Sequence, residues 1–356
     1  MTSRFMRSRT VGRLATTAWR RWFLDRHAEF WLGELRTGWS LTELRARVLE
    51  VIDETADTRT FVLATPRRWP GHVAGQYVPV SVEVDGVRVR RCYSISSGGS
   101  APGAGRIAIT VKRVPGGRLS PWLHAHLQVG GVLTLGTPAG DFVLPSAGAK
   151  VPPLLFVAAG SGITPVIAML RESLSRRPDV VVIHAARTDR EVIFGRALAE
   201  LAALHPTLRL IAPRDDQAST GGRLDAARLH ALVPDLAARQ TYVCGPPGLL
   251  DLVLRAAPTA RHERFVVPQA PTTDAAVVTL GHRTVVAAGP GSLLDQLERA
   301  GERPAHGCRI GICQTCRCTK LTGTVEDLAT GAVSSEPDQE IRLCMSIARS
   351  ALELAL

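Results

Sequence analysis

Lysine is almost missing from this chain of 356 residues, three lysines standing against forty arginines. So skewed a ratio reads as the mark of a GC-rich coding sequence, not of a binding requirement. Cysteine is sparse too: seven residues spread over the whole length exclude the disulfide framework of a small secreted domain and fit a reducing cytoplasm. Long apolar runs are lacking. A charge-free stretch of twenty, residues 151–170, is cut by Pro152, Pro153, Gly160, Gly162 and Pro165. It predicts a buried strand over Leu154–Ala158, a glycine turn and the start of a helix, not a membrane span. Arg20-Arg21-Trp22-Phe23-Leu24 imitates a twin-arginine export signal, but Asp25, Arg26 and Glu29 follow where an apolar region is required. No Ser-His-Asp or paired-carboxylate machinery stands out, and no DNA-binding or output module is appended. Nucleic acid is not an expected partner.

Four cysteines near the C-terminus carry the strongest signal. Cys308, Cys313 and Cys316 stand at the spacing C-x4-C-x2-C, and Cys344 follows at a distance. Three thiolates from one loop closed by a distant fourth is the pattern of a plant-type 2Fe-2S centre. Gly307 and Gly311 let that loop turn sharply against the cluster. Zinc is the competitor, but zinc sites usually pair two short clips, and no second clip exists. Cys318 reads as a spare buried thiol, with the minor alternative of a substitute ligand. His124 and His126 form an H-x-H better read as barrel-edge histidines than as a metal site.

Length predicts two or three domains. Residues 154–256 alternate strand and helix: Leu154–Ala158, Val180–His184, Glu191–Leu204, Leu208–Ala212, Asp225–Leu232, Thr241–Cys244 and Gly248–Ala256. Such alternation implies a parallel sheet covered on both faces, with ligands at its carboxyl end. Gly160-Ser161-Gly162-Ile163-Thr164-Pro165 lies there and offers amides and a helix N-terminus to a pyrophosphate. Pro165 stands where G-x-G-x-x-G needs its third glycine, so an ordinary Rossmann dehydrogenase is not supported. From about Leu44 to Ser146 the pattern changes to short alternating runs such as Thr60–Ala64, Tyr77–Val84, Arg106–Val111 and Val132–Leu135, which indicate an antiparallel barrel. Its clearest constellation is Arg91-Cys92-Tyr93-Ser94: a guanidinium for a phosphate, a ring for a flat heterocycle, a hydroxyl for a ring nitrogen. Strand alternation sends Arg91 and Tyr93 to one face and Ser94 to the other, so a bend or bulge is expected.

Together these motifs resemble the ferredoxin-NADP reductase superfamily, in its members with a C-terminal plant-type ferredoxin domain. Arg91-x-Tyr93-Ser94 is similar to the family's flavin motif, and Gly116-Gly117-Arg118-Leu119-Ser120 to its flavin-phosphate loop. Gly160–Pro165 and Val243-Cys244-Gly245-Pro246 are similar to its nicotinamide-nucleotide motifs. The resemblance covers residues 45–356. It implies a flavin β-barrel over 45–147, an α/β nucleotide domain over 148–260, a linker over 261–273 and an α+β, β-grasp-like ferredoxin domain over 274–356. By resemblance, Arg91 meets flavin phosphate, Tyr93 stacks on the isoalloxazine, Ser94 approaches its N5, and Cys244 lies near the nicotinamide. Val111, Lys112, Gly117, Leu119 and Ser120 complete the flavin set, and Gly160, Gly162, Thr164, Gly245 and Pro246 the nucleotide set. Arg187 and Arg223 favour NADPH over NADH, with Asp189 close enough to confuse the choice. The loop after Lys112 and Arg113 favours FAD over FMN. The implied activity passes electrons from NAD(P)H through flavin and cluster to a separate acceptor, and a redox-sensing flavoprotein is the alternative of another class.

Residues 1–44 lie outside the resemblance. Four of the six tryptophans, Trp19, Trp22, Trp31 and Trp39, sit there with seven basic residues before His27. This reads equally as an aromatic helical extension packed on the body and as an interfacial segment at the inner face of a membrane. Certain reductases that serve membrane fatty acyl desaturases are similar in this extension. That tilts the expected acceptor towards a desaturase, with ring or alkane hydroxylases and haem monooxygenases behind it. Residues 1–47 carry ten basic and four acidic side chains, and residues 274–356 carry eight and ten. This asymmetry suits docking of an acidic ferredoxin module onto a basic body.

Overall fold

The computed structural model describes residues 43–145, 152–176, 179–216, 222–265 and 273–356. All but the last two residues of the expected extension, 1–44, fall outside this set.

Valine- and threonine-rich runs between glycine turns form β1 (Leu44–Thr55), β2 (Thr58–Ala64), β3 (Tyr77–Val84), β4 (Val87–Ser94), β5 (Arg106–Lys112) and, after helix α1 (Leu119–His126), β6 (Val132–Leu135). They make one antiparallel sheet in the order β4-β3-β6-β1-β2-β5. A bridge between Ile95 and Ile109 joins its two edges into a barrel around Phe61, Val78, Val80, Ile107 and Leu123. β3 and β4 pair from Tyr77↔Ser94 to Val84↔Val87 with no register shift. The expected bulge is therefore absent, because both faces of β4 are used. Tyr93 packs with Val89 on the barrel core, and Cys92 and Ser94 share the opposite face.

The second unit is β7 (Leu154–Ala159), α2 (Ile163–Leu174), β8 (Val180–Ala185), α3 (Gly195–Leu204), β9 (Leu208–Ile211), α4 (Ala226–Leu232), β10 (Gln240–Cys244), α5 (Pro247–Ala256) and β11 (Arg261–Glu263). Its sheet is parallel throughout, in the order β11-β10-β7-β8-β9. The sheet is buried on both faces, against Val166, Met169 and Leu198 on one side and Leu229, Leu250 and Val253 on the other. Two expectations change. α3 starts at Gly195, not Glu191, because residues 189–191 form a 3-10 turn and Phe194 takes a left-handed φ of 58°. Residues 261–263, expected to open a linker, instead pair with the free edge of β10 as β11. Three residues are too few to reveal a strand by alternation. The charge-free stretch resolves into β7, a turn and α2, and no helix among the described residues is long and apolar enough to cross a membrane.

The third unit comprises β12 (Thr273–Leu280), β13 (Arg283–Gly289), α6 (Leu293–Arg299), β14 (Arg317–Thr322), β15 (Val325–Asp327), β16 (Val333–Ser334), β17 (Gln339–Arg342), β18 (Ser346–Ala348) and β19 (Leu352–Ala355). A five-stranded sheet, β13-β12-β19-β14-β17, packs on α6 through Val278, Leu294, Leu297 and Leu352. α6 starts at a reciprocal capping box between Ser292 and Asp295. Lys320 is fully buried in this unit, where its ammonium donates to the carbonyls of Gly323, at 2.8 Å, and Glu336.

Candidate active site and metal centre

At the carboxyl end of the parallel sheet a cavity of about 810 Å³ opens between barrel and sheet. Gly160, Arg187, Arg223 and Pro246 line it, together with Lys112 from β5. Gly160 has φ +53° with open space where a Cβ would be, leaving its backbone accessible. A Cβ on Gly162 would stand 2.0 Å from the Cys244 carbonyl oxygen, so the turn and β10 touch only because that residue is glycine. Thr164 Oγ1 donates to the Ser161 carbonyl at 2.9 Å and fastens the turn. Gly245 is packed similarly, a Cβ there meeting Leu249 at 2.9 Å. Arg187 is exposed and holds Glu191 at 2.8 Å, while Asp189 pairs with the buried Arg214. That removes Asp189 as a direct rival of Arg187 for a ribose substituent.

On the barrel side, Lys112 pairs with Asp57 at 2.7 Å. Burial raises the Asp57 pKa, but Lys112, Thr55 and Thr58 outweigh it and hold the carboxyl below its ordinary value. Arg91 is half-buried, and desolvation lowers its pKa. Burial raises that of Tyr93. Gly116 has φ +71° with open space above it, and Ser120 Oγ accepts from the Val114 amide at 3.0 Å. Gly117 turns the same loop through its amide to the Val114 carbonyl at 3.0 Å. The side chains of Val111 and Leu119 lie in the barrel core, which leaves only their backbones for a ligand. A guanidinium, an aromatic ring and an open glycine loop side by side fit a flavin nucleotide. His124 reaches the Val111 carbonyl at 2.8 Å, while His126 stacks on Trp122, so the H-x-H pair does not converge.

The two motifs meet at Ser94, Cys244 and a residue the motifs did not reveal, Glu263. Cys244 and Glu263 are register partners on β10 and β11, and both are buried. Burial pushes the Glu263 carboxyl up to about 8, a rise that the Ser94 hydroxyl partly offsets. Ser94 Oγ and Glu263 Oε2 are buried without a hydrogen bond of ordinary length among the described residues, so they are near neighbours and not a closed pair. Burial, with Glu263 as the smaller cause, raises the Cys244 thiol well above its usual range. The site thus gathers buried, neutral groups at the carboxyl end of a sheet.

The cysteine loop packs against the same barrel strands. Tyr77, the register partner of Ser94, donates its hydroxyl to the Ile312 carbonyl at 2.8 Å, and Arg91 Nη1 donates to that of Gly307 at 3.4 Å. Within the loop the amides of Cys308 and Cys313 point at each other's sulfur at 3.1 and 3.2 Å, and Ile310 N lies 3.4 Å from Cys308 Sγ. Cys316 and Cys344 form a second pair, with sulfurs 3.1 Å apart. Two thiol pairs with amides directed at sulfur fit a two-iron centre; among the described residues no three His, Cys, Asp or Glu side chains gather around one ion position. A Cβ on Gly307 would meet Cys313 Sγ at 2.7 Å, and one on Gly311 would meet Met345 at 2.5 Å. Cys318 is buried in the β14 core, paired across the sheet with Ile341.

Comparison with known proteins agrees with this division of labour. A model described as an oxidoreductase FAD-binding domain matches residues 45–144, one described as an oxidoreductase NAD-binding domain matches 156–255, and one described as a 2Fe-2S iron-sulfur cluster binding domain matches 278–349. The chain is 41% identical to a Mycobacterium tuberculosis protein named NADPH oxidoreductase, over 87% of this chain and 83% of that one. It is 31% identical to the glycine betaine monooxygenase reductase subunit of Chromohalobacter salexigens, over 88% and 95%. The fold of phthalate dioxygenase reductase superposes with a TM-score of 0.64 at 23% identity, covering 88% of this chain and 98% of that one. Fold and site define an NAD(P)H-dependent oxidoreductase that uses FAD and a 2Fe-2S cluster. The chain belongs to the ferredoxin-NADP reductase superfamily, among the members with a C-terminal 2Fe-2S ferredoxin domain.

Proposed function

We propose that the chain is the reductase component of an oxygenase system, drawing on NADPH and delivering single electrons to a separate terminal oxygenase. When bound, FAD would supply hydride acceptance and the 2Fe-2S cluster one-electron transfer. The observation that carries the reading is the meeting at β4. Ser94 lies beside Glu263, the register partner of Cys244, while Tyr77 and Arg91 meet the cysteine loop. In this reading Arg91 holds a flavin phosphate and Tyr93 backs the ring. Ser94, Cys244 and a neutral Glu263 keep the nicotinamide pocket dry and free of competing charge. Cys308, Cys313, Cys316 and Cys344 would hold the cluster, and the loop amides would stabilise negative charge on sulfur. The relatives named as monooxygenase reductase subunits support the oxygenase acceptor.

Arg187 and Arg223, both lining the cavity, support NADPH as the donor. Replacing Arg223 by Ala is expected to raise KM for NADPH about tenfold and leave NADH turnover unchanged. Equal effects on both nucleotides would sink the assignment. The tryptophans and basic residues of 1–42 support a finer reading, in which the protein rests peripherally on the membrane and its acceptor is a membrane-bound enzyme such as a fatty acyl desaturase.

A further inference from the structure

Arg214 has no part in the chemistry proposed above, yet it is only 5% exposed. A guanidinium cannot shed its charge, so its burial has to be answered by acceptors. Three are in place: Nε donates to Asp189 Oδ1 at 2.8 Å, and Nη1 to the carbonyls of His184 at 3.1 Å and Pro213 at 2.9 Å. Around it the segments that follow β8 and β9 are laced together. Ala186 bridges to Arg214, Asp215 N donates to the Ala186 carbonyl, and Asp216 N to that of Arg187, both at 3.2 Å. Arg187 therefore leaves the sheet from a backbone that Arg214 fastens, while Asp189, two residues further on, is held by the same guanidinium.

The charge around the cavity makes that hold on Asp189 matter. Lys112, Arg187 and Arg223 line it against Glu191, Asp215 and Asp225, three cations to three carboxylates. One further free carboxylate would tip the balance negative. After the second strand of such a sheet, a carboxylate suits the ribose 2'-hydroxyl of NADH and repels a 2'-phosphate. We propose that Arg214 is a positioning residue for nucleotide specificity, holding Asp189 away so that the 2'-phosphate of NADPH meets Arg187 without a competing negative charge. The proposal rests on the reading of NADPH as the donor. NADH carries no phosphate to repel, so the effect falls on one nucleotide alone.

Calorimetric titration of the full-length holoprotein with adenosine 2',5'-bisphosphate and with adenosine 5'-phosphate is the test, since the two probes differ only in the 2'-phosphate. Arg214→Gln keeps donors for the carbonyls and loses the charge that holds Asp189. It should weaken bisphosphate binding about tenfold and leave monophosphate binding within about threefold of wild type. Adding Asp189→Asn to that variant should bring bisphosphate binding back to within about threefold of wild type, which a merely structural part for Arg214 would not allow. An unchanged bisphosphate affinity in Arg214→Gln, or a loss that the second substitution does not restore, overturns the proposal. Should Arg214→Gln fail to fold, Asp189→Asn alone decides, because that side chain is mostly exposed. A carboxylate already neutralised by Arg214 costs little to remove: a bisphosphate affinity within about threefold of wild type supports the proposal, and a larger change overturns it. Failure of the NADPH reading is distinguishable, since it appears as a wild type that binds the two probes equally, and the proposal falls with it.

Discussion

At the scale of single residues, the scarce lysines are the informative ones. Of the two described, Lys112 lines the nucleotide cavity and Lys320 fills the ferredoxin interior. Arginine's wide fork cannot replace a compact ammonium that turns to two carbonyls in a closed space. Lys320→Met should cost the ferredoxin unit about 2–3 kcal/mol, because two carbonyls lose a charged donor. Urea-induced loss of cluster absorbance would measure it, and an unchanged midpoint would contradict it. Glu263 carries the pH dependence. The fold favours its neutral form, so the associated stability is whole below the ordinary value of 4.5 and drains away as pH rises through about 8. Thermal midpoints should fall across that window in the wild type and fall less in Glu263→Gln. Equal pH slopes in the two proteins would refute the assignment. Neither Lys320 nor Glu263 was legible in the sequence, because burial is a property of the surroundings and neither stands in a recognisable motif.

At the scale of elements, the short alternating runs of the barrel and the apolar strands of the parallel sheet were legible within a residue or two, as at Tyr77–Val84 and Val132–Leu135. Their periods are local and strong. α3 was misjudged by four residues, since Glu191 and Val192 suit a helix until Phe194 adopts its left-handed conformation. β11 was missed because a three-residue edge strand exists only by pairing with β10. The glycine turn after β7 is the most demanding element. Gly162→Ala would drive a methyl into a backbone carbonyl 2.0 Å away, and since that oxygen belongs to a central strand it cannot yield cheaply. We expect about 3 kcal/mol of destabilisation and at least a tenfold loss of NADP+ affinity, read by calorimetry. A variant with wild-type affinity and stability would refute the contact.

At the scale of the whole molecule, one barrel strand serves three modules, and electrons leave through a surface chosen by shape and charge. Deleting residues 1–40 tests whether that surface works at a membrane. The truncated protein should keep NADPH-driven dye reduction, lose sedimentation with anionic vesicles, and couple several-fold less well to a membrane acceptor. Undiminished coupling would remove the extension from the reading. The order of the modules, the thiolate spacing of Cys308, Cys313 and Cys316, and the Arg91-x-Tyr93-Ser94 motif were determined by sequence alone, because each is a short-range pattern imposed by cofactor chemistry. Only the tertiary structure decided that Glu263 pairs with Cys244 beside Ser94, that Asp189 is taken by Arg214, and that Tyr77 and Arg91 meet the cysteine loop. These contacts join residues far apart in the chain, through burial and strand register that no local pattern encodes.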